Sequence, residues 1–217
     1  MNRRKIIILF LCHFMVLLPC KSQIEKSTQY GLLIGMNLSD FYTKDAISNL
    51  NAGFFTGGFL RIALTNTIAI EPELYLSTKG TSVVYNSLLV VNNANLNLTY
   101  LEIPVIGVFK VTQLINFQVG PYISYLIATQ IKNVSNINLF NFEQNLNIDN
   151  YNRLDAGAVI GIGLDVKSIT MGIRYNLGLV SVGKNQQFLG LSYNMENARN
   201  GVLNFYLAIG LNQKIRK

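Results

Sequence analysis

Beyond residue 20 the chain has neither cysteine nor histidine, because Cys12, His13 and Cys20 are the only residues of either kind. That excludes disulfides, thiolate chemistry, zinc sites of the usual Cys/His kind and every triad that needs a histidine base. Charge is also scarce: 13% of the 217 residues are Asp, Glu, Lys or Arg, against 50% hydrophobic. The formal net charge of +7 is concentrated at the N-terminus. Without residues 1–22, which hold Arg3, Arg4, Lys5 and Lys21, it falls to +3, and nucleic acid drops out as an expected partner. A long apolar run is missing as well. The longest candidate, Ile6 to Leu18, falls short of the ~20 residues a spanning helix needs. With Arg3, Arg4 and Lys5 before it and Pro19-Cys20-Lys21-Ser22 after it, this run has the layout of a secretory signal peptide. The expected organisation is therefore a signal peptide over 1–22, cleaved near Ser22/Gln23, and one domain over 23–217. A lipoprotein signal with acylated Cys20 is the rival, and Pro19 directly before the cysteine argues against it.

What the chain does have is alternation, cleanest from Arg153 to Val180. Asp155, Gly157, Val159, Gly161, Gly163 and Asp165 share one face of a strand, and Ala156, Ala158, Ile160, Ile162 and Leu164 share the other. After a turn at Lys167-Ser168, Gly172, Arg174, Asn176 and Gly178 form a small polar face, and Met171, Ile173, Tyr175, Leu177 and Leu179 an apolar one. A two-residue turn sets Arg174 opposite Gly161. A closed membrane barrel turns such an apolar face to lipid and fills its narrow lumen with small and polar groups.

Eight strand-like runs follow the signal peptide, at 29–37, 53–63, 68–78, 97–110, 115–127, 153–165, 169–180 and 201–212. The connections alternate long and short: 38–52, 64–67, 79–96, 111–114, 128–152, 166–168 and 181–200. Short periplasmic turns and long outer loops are the habit of transmembrane barrels, and an even strand count puts both termini in the periplasm. The pattern thus predicts an all-β fold: an eight-stranded antiparallel up-and-down transmembrane β-barrel of the outer-membrane type, in contact with outer-membrane lipid.

Leu60, Ile62, Ile70, Leu74, Leu76, Leu101, Ile103, Val105, Phe117, Val119 and Ile123 face outward in this scheme, as do Leu203, Phe205, Leu207, Ile209 and Leu211. Asn204, Tyr206, Ala208 and Gly210 face inward. Leu88-Leu89-Val90-Val91 reads first as a strand extension beyond the membrane and second as an interaction patch. Pro104 and Pro121 lie in opposed strands, where a local bulge is expected because each removes a ladder donor. The Asn-x-Ser/Thr matches at Asn37, Asn97 and Asn133 read as chance. Tyr30, Tyr75, Tyr100, Tyr125, Tyr151, Tyr175 and Tyr193 divide between interfacial girdles and lumen.

The segments YGLLIGMNLSDF (30–41), EPELYLSTKG (71–80), YLEIPVIGVFK (100–110), VGPYISYLIA (119–128) and IRYNLGL (173–179) resemble the PorT family of outer-membrane β-barrels, over nearly the whole mature chain. The order matches too: Glu-Leu-Tyr before a Lys-Gly turn, Tyr-Leu-x-Ile-Pro opening the fourth strand, Gly-Pro in the fifth and Arg-Tyr-Asn in the seventh. The resemblance implies an eight-stranded outer-membrane barrel, in a family whose founding member is linked to protein export through the type nine secretion system. One departure is the C-terminus, where Leu211 precedes Asn-Gln-Lys-Ile-Arg-Lys instead of ending on an aromatic residue. Recognition by the assembly machinery then falls to Phe205 and Tyr206.

Arg61, Glu71, Glu73, Glu102, Asp155, Asp165 and Arg174 fall on the inner face and form the one cluster that could suggest catalysis. Paired carboxylates such as Glu71 and Glu73 can do acid–base work in a cleft. In so narrow a lumen a salt-bridged structural plug is the preferred reading, with Arg61 across from Glu71 and Arg174 paired with at least one of Glu71, Glu73 and Glu102. No catalytic residue, cofactor or metal is expected. The function expected is a non-enzymatic barrel whose long outer loops bind a protein or surface-glycan partner, with an accessory role in export as an extension. The alternatives are a barrel enzyme acting on lipid, a channel, and a soluble lipocalin-like ligand-binding barrel with its faces reversed.

Overall fold

A computed structural model describes residues 28–42, 50–87, 90–135, 142–145, 148–183, 186–188, 191–193 and 198–212. The expected signal peptide, its cleavage point, Cys20 and the Leu88-Leu89 pair lie outside these. Eight strands close a barrel: β1 (Thr28–Tyr42), β2 (Asn51–Ala63), β3 (Ile68–Ser87), β4 (Val90–Lys110), β5 (Ile115–Ser135), β7 (Leu154–Val166), β8 (Ile169–Ser181) and β11 (Arg199–Gly210). Three short strands decorate the long connections: β6 (Phe142–Asn145), β9 (Gln186–Phe188) and β10 (Leu191–Tyr193). Every pairing is antiparallel, and β1 closes on β11 from Gly31↔Gly210 to Tyr42↔Arg199.

The tight turns have a local cause. Thr65 Oγ1 accepts from the N–H of Thr67 and Ile68, and Thr112 Oγ1 accepts from the N–H of Leu114 and Ile115, so one hydroxyl-stapled turn is used twice. Between β7 and β8 the two-residue turn needs a positive φ, which Lys167 supplies at 55°. That turn sets Gly161 opposite Arg174, as the alternation requires.

The wall is inside out relative to a soluble sheet. Ile160, Ile173, Ile103 and Phe205 are 49%, 49%, 45% and 41% exposed, whereas Glu71, Glu102 and Gln118 have no exposure at all. Apolar groups outside and carboxylates inside are the reverse of a lipocalin, so that alternative falls. Side chains fill the lumen, as eight strands dictate, and the channel reading loses its pore.

Four expectations need correction. Residues 79–96 are not a loop, because β3 and β4 stay paired to Ser87↔Val90, which makes Val90-Val91 a strand extension. Lys79-Gly80 is accordingly not a turn; Gly80 sits in the strand at φ 158°, where an added Cβ would meet the Leu96 carbonyl. Residues 128–152 are largely structured too: β5 runs to Ser135, β6 adds to its edge, and a 3₁₀ turn covers Ile148–Asn150. Lastly, the prolines make no bulge. The register is the same at Pro104↔Tyr122 and Gly107↔Val119, so the missing donors thin the ladder without shifting it; the shift comes at Thr99/Tyr100.

That shift marks a change of architecture. Below it, β3, β4 and β5 carry apolar residues outside, and inside they carry the charged and polar groups beside a buried apolar cluster that includes Ala69, Ile106, Val108 and Tyr122. Above it the sense inverts: Leu96, Leu98, Leu126 and Ile131 are buried inside, while Lys132 is exposed and Asn95, Asn97 and Gln130 are half-buried on the outer face. The outward apolar band on β3, Ile68 to Leu76, covers roughly nine residues, the length that crosses a bilayer. With 20 residues in β3 and 21 each in β4 and β5, these strands continue well past it.

Candidate functional site

The lumen is stacked in two polar storeys beneath an apolar lid. In the lower storey, nearer the tight turns, Arg61 Nε is ion-paired with Glu71 and Arg61 Nη1 lies 3.1 Å from Asp165 Oδ1, to which Thr170 Oγ1 donates at 2.6 Å. Arg174 reaches across from β8. Its Nη1 is 2.8 Å from the Glu73 carboxylate, its Nη2 3.3 Å from Glu71 Oε1, and its Nε donates to Gln118 Oε1 at 2.6 Å. The guanidinium carbon lies 4.2 Å from the Tyr206 ring centroid. Gly161 makes this possible, since a Cβ there would sit 2.7 Å from Arg174 Cγ.

In the upper storey Glu102 accepts from Tyr75 OH at 2.6 Å and from Asn176 Nδ2 at 3.0 Å. Its cation is Lys79, whose Nζ is also 3.7 Å from Asp155 Oδ2 and lies 4.7 Å and 5.2 Å from the ring centroids of Tyr122 and Tyr100. Asp155 is held by Tyr122 OH at 3.2 Å and Asn200 Nδ2 at 3.0 Å. Above it Phe41, Leu96, Leu98, Tyr100, Leu126, Tyr151, Val182 and Ala198 pack into the lid. Tyr151 lies outside the strands, and burial pushes its hydroxyl up to about 12.

The seven charged residues singled out in the sequence all face the lumen, but they form two groups. Arg61, Glu71, Glu73, Asp165 and Arg174 meet in the lower storey, and Glu102 and Asp155 in the upper. Arg174 therefore pairs with Glu71 and Glu73, while Glu102 takes Lys79. Lys79 is the residue the sequence reading missed, although it has the same strand parity as Glu71, Glu73 and Tyr75 and is only 1% exposed.

Of the tyrosines, Tyr75, Tyr100 and Tyr151 are buried, whereas Tyr30, Tyr125 and Tyr175 face outward. The side chain of Tyr193 lies outside the described residues. Asn37 is buried, donating to Ser77 Oγ at 2.9 Å and to the Thr78 carbonyl at 3.0 Å. Phe205 faces outward, but Tyr206 faces the lumen and accepts from Gln118. Among the described residues no group of three or more His, Cys, Asp or Glu could hold a metal ion. Chemically, this interior fits ion pairing and void filling.

The outer surface of the extended sheet presents a different array. Thr78 pairs with Thr99, Ser82 with Asn95 and Asn97 with Gln130, and Ser82 Oγ donates to Asn95 Oδ1 at 2.7 Å. These are neutral hydrogen-bonding groups on a rigid support beyond the apolar band.

Residues 21–183 match the family described as outer membrane protein beta-barrel domain. Among solved structures, the chain is similar to Ail, the attachment invasion locus protein of Yersinia pestis, at 10% identity and a TM-score of 0.44, over 85% of this chain and 99% of that one. It is also similar to the Neisserial surface protein A, at 12% identity and a TM-score of 0.45, over 85% and 99% of the respective chains. No curated protein sequence matches.

Proposed function

This chain belongs to the family of outer membrane protein beta-barrel domains, and from that premise we propose that it is a non-conducting, non-enzymatic display barrel, holding a rigid β-sheet outside the cell to bind a protein or surface glycan. The observation that carries this reading is the length of β3, β4 and β5, at 20, 21 and 21 residues, against an apolar band of roughly nine. Nothing about spanning a membrane calls for that excess. Above the band the inner face packs into a lid and the outer face turns to Thr, Ser, Asn and Gln. Residues carried over a rigid scaffold are the ones free to bind.

The lumen cluster Arg61, Glu71, Glu73, Lys79, Glu102, Asp155, Asp165 and Arg174 is, on this reading, a structural plug. Each carboxylate is engaged by a cation, hydroxyl or amide, and the lid separates them from the exterior, so a lipid substrate has no route to Glu71 or Glu73. Residues 1–22 act as the signal peptide, cut near Ser22/Gln23. The finer resemblance to the PorT family adds a role in protein export, which rests on those sequence segments and on no residue of the lumen.

The test is a pull-down from cross-linked outer membranes, using the full chain and one in which 82–95 is replaced by a two-residue turn. Partners are expected to be captured by the first and lost from the second, while both barrels fold. Capture that survives this trimming and is lost on altering the turns at 64–67 and 111–114 would place binding on the periplasmic side and overturn the reading.

A further inference from the structure

The two storeys of the lumen differ in the charge they leave unbalanced. In the lower one Arg61 and Arg174 face Glu71, Glu73 and Asp165, but the Asp165 side chain is 15% exposed at the tight-turn end, where water screens the surplus. In the upper one Lys79 faces Glu102 and Asp155, and these three side chains are 1%, 0% and 4% exposed. One negative charge more than the cation can balance is thus sealed away from water, among the described residues. A buried charge without compensation is costly.

Unmatched atoms follow the same division. With Glu73 Oε1 paired to Arg174, the buried side-chain atoms left over in the lower storey are donors, Arg61 Nη2 and Asn116 Nδ2. Around Asp155 they are oxygens: Asp155 Oδ1, Asn200 Oδ1 and the Tyr100 hydroxyl, each on a residue no more than 3% exposed. All three belong to one place. Asn200 Nδ2 donates to Asp155 Oδ2 at 3.0 Å, so each free Oδ1 is one carbon away from that bond. Tyr100 is part of the same cage, with its hydroxyl beside Asn200 and Asp155 and its ring centroid 5.2 Å from Lys79 Nζ. Tyr122, Asn200 and Lys79 all approach Asp155 through Oδ2, and Oδ1 is left to something else.

Carboxylate, amide and hydroxyl oxygens are what a hard cation takes. The sealed surplus is a single charge, so a monovalent ion balances it where a divalent ion would overshoot. We infer that the upper storey binds one small monovalent cation, sodium or potassium, on Asp155 Oδ1, Asn200 Oδ1 and the Tyr100 hydroxyl, beneath the apolar lid. The ion neutralises the storey and ties β4, β7 and β11 together at the level where the membrane band ends. A buried water, the rival occupant, can donate to both Oδ1 atoms but leaves the charge unbalanced. The inference does not depend on what the outer sheet binds.

The test is the folding equilibrium of protein extracted from membranes, unfolded in urea and refolded into lipid vesicles while sodium or potassium replaces choline at constant ionic strength. Occupancy is then set as the lid closes. A ligand held only by the folded state raises the folding constant about tenfold for each tenfold rise in its concentration above its dissociation constant. That dependence is expected for sodium or potassium, and Asp155→Asn and Tyr100→Phe are each expected to flatten it. Equal stability in all three salts means that water fills the place and overturns the inference; so does a dependence that either variant leaves unchanged. Crystals grown with thallium(I) decide the matter where a variant does not fold. An anomalous peak in contact with Asp155 Oδ1 and Asn200 Oδ1 is expected, and a map without one overturns the site.

Discussion

Replacing Arg174 by leucine removes a cation that two carboxylates share unequally. Among the described residues Glu73 has Arg174 as its ion-pair partner, whereas Glu71 keeps Arg61 when Arg174 is lost. Breaking a buried pair from one side costs about 3–5 kcal/mol, because the remaining charge is stranded, so Arg174→Leu should destabilise the barrel by about that much. Losing the Gln118 bond adds to this, since hydrogen bonds to charged groups contribute about 1.5–3 kcal/mol. Adding Glu73→Leu removes the stranded carboxylate and should recover at least ~2 kcal/mol, within the coupling range of contacting residues. Coupling to Glu71 should be smaller. Coupling to Glu102, which sits in the other storey with Lys79 and meets no atom of Arg174 directly, should be the smallest of the three. Urea unfolding in lipid vesicles, followed by the compact unheated band on gels and by tyrosine fluorescence, measures each corner of the cycle. Additivity of Arg174 with Glu73, or coupling to Glu102 as large as to Glu73, would refute the two-storey account.

Lys79→Met should cost about 3–5 kcal/mol by stranding Glu102, and Glu102→Gln in the same chain should recover part of it; an unchanged unfolding midpoint for Lys79→Met would deny the pair. Ile173→Arg puts a charge on the lipid face and should cost about 2–4 kcal/mol near mid-membrane, so an undiminished folding yield would mean the faces are reversed. Gly161→Val meets Arg174 Cγ and the Ile173 carbonyl and should cost about 1–3 kcal/mol as an overpacking change; wild-type stability there would show that Arg174 does not need the space.

Strand order, facing and tight turns were legible in the sequence because each follows from a local rule. Period-two alternation separates Ile173 from Arg174, and threonine or a two-residue turn closes each short connection. Strand length was not legible. Looking for one sense of alternation, apolar outward, ends β3 near Thr78 and starts β4 near Asn97, where the observed strands carry on, β3 with Lys79 and Thr81 inward and β4 with inside and outside exchanged. Leu96 and Leu98 facing inward against Asn95 and Asn97 facing outward is an equally regular pattern, of the soluble kind, and the inversion could have been read from it. Lys79 was hidden by the same cut, since a Lys-Gly pair at the supposed end of a strand looks like a turn. Counting parity on from Glu71 through Glu73, Tyr75 and Ser77 would have placed it in the lumen. The division into storeys was out of reach, because it depends on how far the strands are staggered around the closed barrel.

The central claim, a membrane barrel that holds its long hairpins outside the cell, is tested most directly by two single cysteines in a chain carrying Cys12→Ser and Cys20→Ser. One replaces Lys132, exposed on the extended part of β5, and the other replaces Thr112 in the tight β4–β5 turn. On intact cells an impermeant maleimide is predicted to label position 132 and to reach position 112 only after the outer membrane is permeabilised. Labelling of 112 but not 132, or equal labelling of both before permeabilisation, would contradict it.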